Sequence, residues 1–184
     1  MNEIAEGVLH ITDLEGYDHM LYLFAMSAPF LWKDYKKIIL LATAFTVGHS
    51  LTLLASAAGW FAFSSTVIEM LISVSIALTA LLNFIWNKPQ VSWWNYTITV
   101  GFGLIHGMGF SSYFKMMFDQ SESWILKLLF FNIGIEVGQL LIIGVIVLLG
   151  FLATSVVKVP SSTWSRIVAG IAFVVSCYLI IDKI

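Results

Sequence analysis

The chain has 184 residues, 59 % of them hydrophobic and 11 % charged, with a formal net charge of −2. A water-soluble domain carries about a quarter charged residues, so a core packed in water does not account for this composition and a bilayer does. The near-neutral balance excludes a basic surface for nucleic acid, and the single cysteine, Cys177, excludes an internal disulfide.

The opening stretch, MNEIAEGVLHITDLEG, is acidic and interrupted. It lacks the basic start and apolar run of a signal peptide and is expected to belong to the mature protein. Residues 2–15 read as a tilted interfacial helix, with Glu3, Glu6, Asp13 and Glu15 toward water and Ile4, Val8 and Ile11 toward lipid or protein. Six apolar runs follow, near 17–32, 37–59, 66–86, 95–118, 124–150 and 164–182, each of roughly membrane-spanning length. They are continuous rather than alternating, which selects helices over a barrel as the way to satisfy backbone groups in lipid. No repeat and no linker of soluble-domain size breaks the pattern. The expectation is all-α: one polytopic membrane helix bundle over residues 1–184, six transmembrane helices preceded by a short interfacial helix.

Basic residues orient the bundle. Lys33, Lys36 and Lys37 mark the first loop, Lys88 the third, and Lys158 and Arg166 the fifth; the second has no charge and the fourth carries Asp119 and Glu122. Odd loops are then cytoplasmic and both termini outside, in a bacterial inner or plasma membrane. Trp32, Trp60, Trp86, Trp93, Trp94, Trp124 and Trp164 all fall near span ends, where interfacial anchors belong.

Within or beside the spans lie Asp18, His19, His49, Glu69, His106 and Glu136. An ionised group at the bilayer centre costs at least about 2.5 kcal/mol, so such residues face a bundle interior and have a function. At about 1.5 Å of rise per residue, His19, His49 and His106 sit roughly 20, 18 and 17 Å up their helices from the cytoplasmic ends, in one layer that Asp18 shares. Glu136 enters that layer from the other side, and Glu69 lies nearer the outer surface. In GFGLIHGMGF, Gly103 and Gly107 form a small-xxx-small pair that lets a neighbouring helix approach His106, and Gly101 and Gly109 widen the smooth surface. In AFTVGHSLTL, Thr46, His49 and Thr52 share a face. In FNIGIEVGQL, Asn132, Glu136 and Gln139 do the same, as residues lining a cavity or a polar seam.

Imidazole with carboxylate is the ligand set of zinc, nickel, cobalt and non-haem iron. Asp18 and His19 are neighbours and diverge by about 100° on a helix, so one can ligate while the other orients a ligand; the sequence leaves open which does what. Together, HITDLEGYDHMLYL, FTVGHSLTL, LIHGMGFS and FNIGIEVGQL resemble the HupE/UreJ family of membrane proteins over roughly residues 7 to 145, as a divergent branch. The resemblance implies a six-to-seven-helix membrane protein linked with nickel or cobalt uptake for hydrogenase and urease maturation. It maps the family's histidine-aspartate-histidine motif to His10, Asp18 and His19 and its later histidines to His49 and His106. Two departures are a longer spacing between His10 and Asp18 than the family's and the missing signal peptide.

The leading expectation is a divalent-metal permease or metal-acquisition protein, with Asp18, His19, His49, His106 and His10 at the metal and Asn132, Glu136, Gln139 and Glu69 on the path or behind the ligands. The alternative is a zinc-dependent intramembrane hydrolase acting on a lipid or membrane-embedded substrate, in which Glu136 is the base and Ser50 its support. A third class, a membrane chaperone or sensor that hands metal to a soluble partner, is disfavoured by the short loops.

Overall fold

The computed structural model describes residues 2–14, 16–57, 60, 64–86, 91–117 and 124–183. Among these there is no strand, and seven α-helices carry the fold. They are α1 (Glu3–Thr12), α2 (Asp18–Ser27), α3 (Tyr35–Ala57), α4 (Ser65–Trp86), α5 (Trp93–Met117), α6 (Trp124–Phe151) and α7 (Ser161–Asp182). Glu15, Lys88, Asp119 and Glu122, on which part of the interfacial reading and of the loop-charge reading rested, lie outside the described residues.

Four segments are long and apolar enough to cross a membrane: Trp32–Ser56, Ser65–Trp86, Trp124–Val156 and Ser161–Asp182. Large apolar residues such as Leu51, Val67, Leu141, Val145, Ile171 and Val174 are exposed along them, as a lipid-facing surface requires. The helix α5 has the length, at 25 residues, but Asn95, Thr97, Thr99, His106 and four glycines dilute its apolar run.

One expectation is corrected at the N-terminus. The run 17–32 is not one spanning helix. The helix α2 has 10 residues, about 15 Å at the α-helical rise or half a hydrocarbon core. It ends two residues before Pro29, and a 3₁₀ turn at Trp32–Asp34 then leads into α3. The helix α1 turns the face that carries Ile11 toward protein, one of the two surroundings expected for it. Asn2 caps it by accepting from Ile4 N at 3.1 Å, Glu3 and Glu6 sit in its first turn where the helix dipole favours them, and Ile11 is fully buried. It runs along α6, where a Cβ on Gly7 would overlap the carbonyl oxygen of Phe131 and one on Gly134 that of Ile4.

The same device seats α3 on α5. A Cβ on Gly103 would overlap the carbonyl oxygen of Phe45, one on Gly107 that of His49, and one on Gly48 that of Val100. Gly101, by contrast, has nothing within 4 Å of its Cβ position and takes no part; Gly109 faces Ile72 of α4 at 3.1 Å. Gly103→Ala is therefore expected to cost roughly 1–3 kcal/mol, because the obstacle is backbone that cannot rotate away. Gly101→Ala should stay within about 0.5 kcal/mol of the parent. Equilibrium unfolding in detergent of the two variants side by side checks the contrast.

Two further contacts fix α3 against its neighbours. Thr46 donates to Gln139 Oε1 of α6 at 2.9 Å, and Thr52 donates to Leu104 O of α5 at 2.9 Å. The polar face of α3 is thus consumed in helix packing, with His49 at its centre. At the end of the bundle where α3 begins, here the lower end, Lys37 pairs with Asp34 at 2.7 Å. At the upper end Lys183, just past α7, pairs with Glu69 of α4.

Candidate metal centre

Four helices bring four imidazoles together. His10 comes at the end of α1, His19 at the start of α2, His49 from the middle of α3 and His106 from α5. Ring centroids stand 4.7 Å apart for His10 and His19, 5.5 Å for His10 and His49, 5.6 Å for His19 and His49, and 5.2 Å for His19 and His106. His49 and His106 are fully buried, and His19 is 5 % exposed. His10 is backed by Phe110, centroids 3.8 Å apart, and Phe110 stacks in turn on Phe131.

The hydrogen bonds decide which nitrogens remain. His19 Nδ1 lies 2.9 Å from Asp18 Oδ1, and His106 Nδ1 lies 2.9 Å from Phe102 O. A carboxylate and a carbonyl only accept, so both rings carry their proton on Nδ1 and leave Nε2 with a free lone pair. Those two Nε2 atoms, Nε2 of His10 and both nitrogens of His49 are buried without a hydrogen-bond partner. A buried polar atom left unpaired costs about 1–3 kcal/mol, so five such atoms on four touching rings call for an occupant. One ligand atom from each of His10, His19 and His49 lies within 4.8 Å of the others. Nitrogens bound at about 2.1 Å to one ion stand no more than about 4.2 Å apart, so small side-chain adjustments close this group on a cation.

Asp18 serves His19 twice, since Oδ1 also accepts from His19 N at 2.8 Å. That is the arrangement in which a carboxylate fixes the tautomer and direction of an imidazole ligand. The remaining candidates are elsewhere. Thr43 donates to Glu136 at 2.5 Å and Gln139 accepts from Thr46 with its Nε2 left unpaired, both across the α3–α6 seam, and Asn132 of α6 has a buried Oδ1 without a hydrogen-bond partner. Ser50 donates to Thr46 O of its own helix at 2.6 Å.

A cavity of about 1040 Å³ leads to the cluster from the upper end, and its wall includes Glu6, His10, Asp18, His19, Glu69 and His106. Asn132, Glu136, Gln139 and Ser50 are not on that wall. Glu69 and its partner Lys183 both line this cavity.

His10 is the residue that spacing alone could not deliver to the cluster. The signal was present in FNIGIEVGQL, where Gly134 and Gly138 repeat at four residues and form the bed for α1: Val8 O and Ile11 Cβ lie 3.3 and 3.4 Å from a Cβ built on Gly138. The aromatic residues Tyr22 and Phe45, which pack under His106 with centroids at 5.1 and 5.0 Å, carried no signal at all in an apolar sequence.

No curated protein and no solved structure matches the chain. A family model described as HupE / UreJ protein matches residues 1–182, practically the whole chain, which therefore belongs to the HupE / UreJ family.

Proposed function

We propose that this is a permease for a divalent transition metal, nickel or cobalt, and that His10, His19 and His49 hold the ion in transit, with the Nε2 of His106 beside them. The observation that carries the reading is the set of five unpaired imidazole nitrogens buried at one point between four helices. Membership of the HupE / UreJ family supports nickel or cobalt as cargo. Neutral nitrogen donors suit both ions. Asp18 orients His19 and supplies one negative charge near the ion. Glu6, Glu69 and Asp18 on the cavity wall favour entry of a cation from the upper end. The whole chain acts as one membrane-embedded unit with the upper end outside, as the cluster of lysines at the lower end supports. The helices α1 and α2 together take the place of a first span, meeting at the metal site as broken helices do in transporters.

A hydrolase reading gains no comparable support, because Ser50 and Glu136 are bonded away from the histidines. The test is nickel binding by the purified protein and radioactive nickel uptake into proteoliposomes. Protein that binds no nickel or cobalt, or binds it and moves none under a gradient, would overturn the proposal. Asp18→Asn keeps an acceptor for His19 Nδ1 and removes the charge. It is expected to weaken nickel affinity about 10–100-fold with the fold intact, as read by metal titration beside a melting curve.

A further inference from the structure

A second cavity, of about 740 Å³, enters the bundle from the lower end between α2, α3, α4 and α5. Its polar lining includes Tyr22, Thr79, Asn83, Asn95 and Thr99, with no carboxylate and no imidazole among the described residues. These groups are held in place by their own contacts. Asn83 Nδ2 donates to Ala25 O at 2.8 Å, which leaves Oδ1 available, and Thr79 donates to Ser75 O at 2.8 Å, which leaves its lone pairs. Lys37, also on the wall, pairs with Asp34 at 2.7 Å.

The two cavities come within one side-chain layer of each other. His106 lies on the wall of the upper cavity and Tyr22 on that of the lower, with ring centroids 5.1 Å apart. Tyr22 is 1 % exposed; it stacks on Phe45 at 4.8 Å and 27° and meets Phe102 edge-on at 6.0 Å. An aromatic constriction without charge stops a hydrated ion, which cannot shed its water there.

We propose that Tyr22, Phe45 and Phe102 form a closed aromatic barrier between the upper cavity, which holds the histidines, and this lower one. Its part in transport rests on the permease reading; the barrier itself is a statement about access and can be measured without nickel. Thr79→Cys in a Cys177→Ser background places a thiol in the lower cavity. Silver ions in chloride-free buffer, added to sealed right-side-out or inverted membrane vesicles, report which face reaches it, the unreacted thiol being counted with a maleimide after solubilisation. With Tyr22 present, reaction from the lower face is expected to be at least about tenfold faster than from the upper, and with Tyr22→Ala the ratio should fall to about threefold or less. Phe102→Ala removes the same layer from α5 and decides the matter should Tyr22→Ala fail to reach the membrane. Equal access from both faces with the aromatic layer intact, or a ratio unchanged by its removal, overturns the barrier. If the barrier is found but the parent moves no nickel, the permease reading fails and the barrier stands.

Discussion

His49→Ala is expected to abolish nickel uptake and to lower nickel affinity by at least about a hundredfold, more than the loss of an orienting carboxylate would. Of the three proposed ligands His49 is the one that neither α1 nor α2 carries, so its removal takes away the ligand that α3 contributes. Both of its nitrogens are buried and unpaired, so the substitution also deletes two unsatisfied polar atoms, which tends to stabilise an unloaded protein. The combination is diagnostic: binding should collapse while the melting temperature in metal-free buffer holds or rises. A structural histidine gives the reverse pattern, loss of stability with little change in binding. Metal titration and thermal unfolding of the same preparation distinguish them. His106→Ala should be milder in binding, since its Nδ1 is tied to Phe102 O and its ring also closes the floor against Tyr22 and Phe45.

The parts of this arrangement that follow from helical periodicity and helix ends were legible beforehand. The runs near 37–59, 66–86, 95–118, 124–150 and 164–182 lie within about three residues of α3 to α7, because long apolar segments with charged breaks leave few alternatives. The meeting of His19, His49 and His106 followed from constant helical rise, and the close approach of α3 to α5 from Gly103 and Gly107. What escaped had a different cause in each instance. The run 17–32 is apolar throughout, and hydropathy does not see that a helix stops at Ser27 ahead of Pro29. The helix α1 is amphipathic, which suits an interface as well as a groove in a bundle; only its glycine partners on α6 decide between them. Tyr22 and Phe45 are ordinary apolar residues until the cavities on either side of them are known.

The second large effect is expected far from any histidine. Gly134→Leu should lower nickel affinity by the same factor as His10→Ala, about tenfold or more, although Gly134 carries no ligand. A side chain there would enter the carbonyl oxygen of Ile4 and the Cα of Gly7, and the obstacle on both helices is backbone. Because α1 rests chiefly on α6, the cheapest response is for α1 to leave its bed, taking His10 and the buried Ile11 with it. His19 and His49 are seated by other contacts, namely Asp18 and the glycines of α3 and α5, and should remain. The double variant Gly134→Leu with His10→Ala is then expected to bind nickel no more weakly than either alone, since both remove the same ligand. Two changes acting through separate causes would multiply instead. Multiplication of the two losses would show that α1 matters to the site by some route other than His10, and equal, non-additive losses that its docking through glycine is what completes the cluster.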